Sequence, residues 1–125
     1  MKRDLDLVRS ILIAVEKAGG PVDANDLVTK GNDYAKVSYH IMLMTNRGLL
    51  DLQSFQQDAN HDVIDLQVAG ITWDGQDYLD AIRDRNVWAK TRKVIADSVS
   101  STTFDVVKQT CTMVATGLIK SQLGM

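Results

Sequence analysis

Few side chains in this chain of 125 residues have the type and spacing that catalysis requires. His40 and His61 are the only histidines, and neither belongs to a metal-binding spacing such as HExxH. Cys111 is the only cysteine, and it falls on an apolar helical stripe, where a cysteine is commonly a small core residue. The sequence also lacks a glycine-rich phosphate loop and a GxSxG serine motif. We therefore predict that the protein is not an enzyme and uses no metal or cofactor.

A second group of side chains has the types that bind nucleic acid. Four residues recur at spacings of four, three and four along one side of a helix, namely Lys36, His40, Leu43 and Arg47. The buried side of the same helix is expected to carry Val37, Ile41 and Met44. From the outward side we predict contacts with base edges by Lys36, Ser38, Tyr39 and His40, and a phosphate contact by Arg47. The alternative is that these are ordinary solvent-facing residues.

The charge distribution weakens the case for nucleic acid. The net charge is −2 and the sequence pI is about 5.5. Residues 51–81 carry seven acids and no base, so a DNA backbone would repel them, whereas residues 82–100 carry five bases and two acids. Within the basic segment, Arg83, Arg85 and Arg92 are candidates for phosphate contacts. The alternative is a solvated helix face whose bases pair with neighbouring aspartates.

The elements that must position these residues follow from the hydrophobic periodicity. A helix is predicted from Leu5 to Ala18, a short helix over residues 24–28, and a third helix from residue 32 or 33 to Arg47, closed by Gly48. Alternating residues 50–55 and 64–68 predict two strands of a hairpin with a polar tip between them. Three helices followed by a hairpin is the order of a winged helix-turn-helix, so we predict an α+β fold of that type with additional C-terminal helices.

The C-terminal part is predicted to be helical. Thr72 is expected to cap a fourth helix, residues 87–97 form a further helical segment, and residues 98–103 interrupt the periodicity. Trp73 and Trp88, which lie beside helix starts, are expected to close the core. We assign residues 1–100 to the winged helix-turn-helix with its flanking helix, and residues 101–125 to a C-terminal helix.

That last helix carries an apolar stripe formed by Phe104, Val107, Cys111, Val114 and Leu118. The stripe either packs on the first helix and completes the core, or forms the interface of a homodimer. We predict the dimer, because twofold dimers are the commonest oligomers and would present two helices to a twofold DNA site.

Four segments of the sequence resemble one known family. They are MKRDLDLVR at residues 1–9, SYHI at 38–41, GLL at 48–50 and LQVAGITWDGQDYLDAIR at 66–83. The family consists of small bacterial and phage proteins classed as a domain of unknown function, and its most specific feature here is the junction TWDG at residues 72–75. The resemblance implies a winged-helix fold and a prokaryotic or phage-related setting. It implies no reaction and no catalytic residues.

We expect a cytoplasmic protein with no membrane segment, because the single cysteine fits a reducing compartment and no apolar run reaches the ~18 residues of a membrane span. The predicted function is that of a DNA-binding transcriptional regulator with double-stranded DNA as its partner. The alternative is a protein-interaction or dimerisation module that keeps the winged-helix scaffold and does not bind DNA.

Overall fold

The computed structural model describes residues 2–98 and 103–124, and within them five α-helices, one 3₁₀ helix and three strands follow in order. The elements are α1 (Leu5–Ala18), β1 (Val22–Asp23), the 3₁₀ helix (Ala24–Leu27), α2 (Tyr34–Asn46), β2 (Leu50–Gln57), β3 (Val63–Ile71), α3 (Trp73–Ile82), α4 (Arg85–Ser98) and α5 (Phe104–Gln122). The chain forms two compact units, the first ending at Asp77 and the second beginning at Tyr78. The boundary predicted from the sequence lies at residue 100 instead.

The first unit contains the predicted winged helix-turn-helix. Helix α1 begins at the cap residue Asp4, whose carboxylate accepts a hydrogen bond from the Leu7 N–H at 3.1 Å. It ends at Gly19, whose φ of 65° is a conformation that glycine adopts without strain. The second helix of the motif is a single 3₁₀ turn rather than an α-helix. Helix α2 then follows from the cap residue Asp33, and the chain turns at Gly48, where φ is 84°.

The three strands form an antiparallel sheet in the order β1-β3-β2. Strand β2 carries a bulge near Gln53, because Leu52 pairs with Val68 whereas Ser54 pairs with Gln67. The two-residue strand β1 was not predicted, since two residues are too few to show alternation. We call the hairpin of β2 and β3 the wing.

The junction between the wing and α3 explains the TWDG motif. The Thr72 hydroxyl accepts a hydrogen bond from the Gly75 N–H at 2.9 Å, which confirms Thr72 as a helix cap, and donates one to the Gly48 carbonyl. A Cβ atom on Gly75 would lie 2.0 Å from the Leu49 carbonyl oxygen, so only glycine fits. Thr72 and Gly75 therefore join the start of α3 to the turn that ends α2.

In the second unit α4 packs against α5. Helix α4 is separate from α3, because the Asp84 carboxylate accepts hydrogen bonds from the Asn86 and Val87 N–H groups, each at 2.9 Å. Trp88 is buried in this unit as predicted. The Tyr78 and Phe104 rings meet edge to face with centroids 5.3 Å apart. The interruption predicted for residues 98–103 lies largely outside the described residues.

Candidate interaction surface of the helix-turn-helix

The exposed side of α2 is shifted by one residue from the predicted outward side, which consisted of Lys36, His40, Leu43 and Arg47. Its members share the spacings of four, three and four: Ala35, Tyr39, Met42 and Asn46. We call these four residues the α2 surface. Ala35, Tyr39 and Asn46 are exposed and Met42 is half-buried. No side chain of the α2 surface is charged.

His40 was wrongly assigned to the outward face. Its exposed fraction is 0%, and its Nε2 accepts a hydrogen bond from the Asp4 backbone N–H at 2.8 Å. Because Nε2 is the acceptor, Nδ1 carries the proton and donates it to the Lys36 carbonyl at 2.8 Å. Both ring nitrogens are therefore occupied inside the core, and neither is available to a base edge.

Ser38 was wrongly assigned as well. The residue is buried, and its hydroxyl donates to the Tyr34 carbonyl at 2.6 Å. Such a bond to the preceding turn is a common way for a helical serine to satisfy its own hydroxyl. Ser38 therefore belongs to the core side of α2.

Lys36 forms an ion pair with Asp4 in which Nζ and Oδ2 lie 2.8 Å apart. The hydrogen bond from Lys36 holds the pKa of the Asp4 carboxyl below its usual value, against the opposing effect of partial burial. Together with the His40 hydrogen bond, this pair links the start of α1 to α2. A phosphate group would have to compete with Asp4 for the lysine.

Tyr39 and Arg47 are the two predicted contact residues that the structure leaves exposed. Tyr39 is 37% exposed, and its ring stands edge-on to the buried His40 ring at 5.6 Å. Arg47 is the C-terminal cap residue of α2 and lies beside the start of the wing. Of the five predicted contact residues, Tyr39 in the middle of α2 and Arg47 at its C-terminal cap are therefore exposed, and Lys36 is paired with Asp4.

The wing combines acidic and exposed apolar side chains. Four aspartates and no lysine or arginine lie between Leu50 and Ile71: Asp51, Asp58, Asp62 and Asp65. Phe55 pairs opposite the buried Leu66, so these two side chains share a face of the sheet, and Ile64 lies two residues before Leu66 at an irregularity in the pairing. Phe55 and Ile64 are nevertheless 42% and 53% exposed.

Trp73, at the first position of α3, is 86% exposed, so the prediction that it closes the core is wrong. The physical reason lies in the junction: Thr72 and Gly75 make the close contacts with residues 48 and 49, and the intervening side chain points away from them. An indole with so much of its surface in water is uncommon, because tryptophan usually buries most of its ring.

Three of the five residues in the apolar stripe predicted on the last helix belong to the core of the second unit. Phe104, Val107 and Cys111 are buried inside it, so these three are core residues and not the surface of an interface. Burial raises the pKa of the Cys111 thiol, as expected of an inert core cysteine. Val114 and Leu118 are half-buried. The exposed apolar side chains lie elsewhere: Val106, Met113 and Ile119 in α5 and Leu123 at its C-terminal cap.

The three arginines predicted to contact phosphate have different surroundings. Arg83 forms an ion pair with Asp80 at 2.9 Å, which agrees with the alternative prediction that the bases of this segment pair with neighbouring aspartates. Arg85 and Arg92 are exposed on α4, together with Lys90 and Lys93, and no acid occurs from residue 85 to residue 96. This helix is the most basic element among the described residues.

Two further features are absent from residues 2–98 and 103–124. No group of three or more histidine, cysteine or acidic side chains is placed to hold a metal ion in this part of the chain. None of the helices described has the length and apolar character needed to cross a membrane.

Comparison with known proteins confirms the family resemblance. The sequence is similar to an uncharacterised protein of Haemophilus influenzae, with 31% identity over 112 residues that cover 87% of this chain and 91% of the relative. The fold is similar to the crystal structure of a candidate transcriptional regulator from Thermoplasma acidophilum, with a TM-score of 0.46 and 19% identity over 78% of this chain and 93% of that chain. The family described as hypothetical protein (DUF2513) matches residues 2–102, including the TWDG junction. The chain therefore belongs to the DUF2513 family.

Proposed function

We propose that this protein is a non-catalytic interaction module in which the α2 surface and the wing bind another protein. The observation that carries the proposal is the chemistry of the α2 surface. In a DNA-binding helix-turn-helix the equivalent side of this helix enters the major groove, where lysine, arginine and amide side chains read base edges. Here that side presents alanine, tyrosine, methionine and a single amide, Asn46, and it carries no lysine or arginine.

The electrostatics of the first unit support the same conclusion. Residues 1–77 carry seven basic and twelve acidic side chains, a net charge of −5. Lys36, the one lysine or arginine within α2, lies in its first turn and is already paired with Asp4. Counterion release on phosphate contact supplies most non-specific DNA affinity, so a unit of this charge gains little from a duplex. Protein interfaces instead favour aromatic and methionine side chains at their centre.

The wing indicates the chemistry of the partner. Phe55 and Ile64 offer apolar contacts, and the wing that carries them has four aspartates and no lysine or arginine. A complementary surface would carry apolar side chains with lysines or arginines at the rim, since opposite charges at an interface rim speed association and select partners.

The test is site-specific photo-crosslinking in a prokaryotic host. A photoreactive phenylalanine analogue replaces Tyr39 in one variant and Lys17, which is exposed at the end of α1, in a matched control. We expect an adduct at position 39 that is digested by protease and resists nuclease, and no adduct at position 17. A nuclease-sensitive adduct at position 39, or equal adducts at both positions, would contradict the proposal.

A DNA-binding regulator is the second candidate, because Arg47 and the basic face of α4 are exposed. Fluorescence anisotropy distinguishes the two functions when it compares labelled duplex DNA from the region upstream of the protein's own gene with a duplex of random sequence. Saturable binding that falls steeply with salt and is weakened by Arg47→Glu or Arg92→Glu would favour DNA. If the protein is instead a protein-interaction module, neither duplex should bind measurably even at low salt.

We also propose that the chain forms a homodimer through α5. The support is the exposed side of that helix, where Val106, Met113, Ile119 and Leu123 place apolar surface in water. This side differs from the stripe first predicted, whose first three residues are core residues. Sedimentation equilibrium of the whole chain tests the proposal, and a monomer at high concentration would exclude it.

A further inference from the structure

A groove of about 360 Å³ opens in the first unit between α1 and the segment that leads to α2. The wall formed by α1 includes Leu7, Ser10 and Ile11, and the facing wall is mostly polar, with Asp26 and Asn32 beside Leu27. The volume lies at the small end of the range of about 300–1,000 Å³ that is usual for ligand pockets. It is separate from the α2 surface and from the wing.

The groove exists because the second helix of the motif is so short. Four residues of 3₁₀ helix extend about 8 Å, whereas the 14 residues of α1 extend about 21 Å. The 3₁₀ turn therefore leaves part of α1 uncovered, and Ser10 and Ala14 on that side are exposed and half-buried. The small side chain of Ala14 adds to the open space.

The polar wall offers acceptors and a negative charge. Among the described residues, none donates a hydrogen bond to the Asp26 carboxylate or forms an ion pair with it. The Asn32 amide nitrogen donates to the Thr29 hydroxyl at 3.3 Å, which leaves the amide oxygen as an acceptor at the groove. The backbones of Thr29 and Asn32 bond each other at 2.9 and 3.1 Å, so this wall is held in place.

We propose that this groove binds a small primary amine with a compact apolar body. The ammonium group donates hydrogen bonds to Asp26 and to the Asn32 amide oxygen, and the apolar body packs against Leu7, Ile11 and Leu27. An ammonium group supplies three donors and a positive charge, which matches a wall made of acceptors and one carboxylate. An anion would be repelled by Asp26, and a neutral apolar molecule would leave the wall unpaired.

The test is a titration of the whole, ¹⁵N-labelled chain with phenethylamine, followed through the backbone amide shifts. We expect saturable shifts concentrated at Ser10, Ala14, Leu27, Thr29 and Asn32, with a Kd on the order of 1 mM, as is usual for a fragment in an open site. Phenethyl alcohol, which has the same body without the charge, should bind about tenfold more weakly, and phenylacetate weaker still.

Two variants and one control make the test specific. Asp26→Asn should weaken phenethylamine binding about tenfold, and Ala14→Leu, which fills the groove, should abolish the shifts while the spectrum stays dispersed. Asp62→Asn at the wing tip removes the same charge away from the groove and should leave the Kd unchanged. Equal affinity for the alcohol, unchanged binding by Asp26→Asn, or shifts centred elsewhere would each overturn the proposal. Tighter binding of an Nα-acetyl-lysine amide would assign the groove to a protein lysine and overturn the small-molecule assignment.

Discussion

Replacing Gly75 by alanine should destabilise the protein, although alanine is by far the better helix former. Gly75 lies in the first turn of α3, where helix propensity alone would favour Gly75→Ala by about 1 kcal/mol. The added Cβ would lie 2.0 Å from the Leu49 carbonyl oxygen and 2.8 Å from Cγ1 of Ile71. Because the nearer atom belongs to the backbone, it cannot move aside as a flexible side chain could.

The magnitude follows from what must shift. Ordinary contact begins at 3.4 Å, so the Leu49 carbonyl must retreat by more than 1 Å. That movement breaks its hydrogen bond with the Thr72 N–H, now 3.1 Å, at a cost of about 1 kcal/mol. Strain from overpacking adds about 1–3 kcal/mol. After the gain in propensity is subtracted, the free energy of unfolding should fall by about 2 kcal/mol.

Urea denaturation followed by far-ultraviolet circular dichroism measures this loss. The matched control is Gly117→Ala in α5, where a Cβ would meet no atom within 4 Å, and which should therefore raise the stability of the second unit by about 1 kcal/mol. The opposite signs of the two changes are the critical result. If Gly75→Ala proves as stable as the unmodified protein, the close approach of α3 to Leu49 is not present in solution.

Three further perturbations test other contacts. The pKa of Asp4 is lowered in the folded chain, so the stabilising effect of its carboxylate is present above the unfolded pKa of about 3.9 and is lost as the pH falls through the lower, folded value. Asp4→Asn should therefore lower the free energy of unfolding clearly at neutral pH and less in acid. Urea titrations at several pH values measure this difference. His40→Phe should lower the free energy of unfolding by about 1–3 kcal/mol at neutral pH, because the Asp4 N–H and the Lys36 carbonyl lose their buried partner, and a stability equal to the original would contradict that role. Val107→Asp should unfold the second unit, whereas Met113→Asp should keep its circular dichroism and only weaken self-association in sedimentation; loss of helix in Met113→Asp would refute the assignment of that side as surface.

The sequence was sufficient to predict the main elements. The 3.6-residue periodicity of α1 and α2, the alternation in the wing and the cap at Thr72 are local features, and each has its expected place in the structure. Strand β1 and the bulge near Gln53 depend on pairing with β3, so no local pattern announces them. The same holds for the Asp4, Lys36 and His40 contacts, which join residues more than 30 positions apart.

The error on α2 was avoidable, because the buried stripe of Val37, Ile41 and Met44 already fixes the direction of the core. With about 100° per residue, the positions opposite that stripe are those of the α2 surface, whereas His40 lies only about 60° from Val37. The predicted outward side, which includes the charged residues Lys36 and Arg47, lies instead on the flank of the helix. Burial of polar side chains such as His40 and Ser38 is decided by partners that the pattern does not reveal.

The sheet order also bears on how the folded chain avoids aggregation. Strand β2 is an edge strand along its whole length, and β1 covers the other side of β3 at Val68 and Gln67 alone, so backbone groups of the wing are open to an added strand. Exposed Phe55 and Ile64 would favour such an addition. Repulsion between the wing aspartates of two molecules opposes it, and the bulge near Gln53 bends the edge out of register. The carboxylates that would orient a partner thus also keep neighbouring copies of the wing apart.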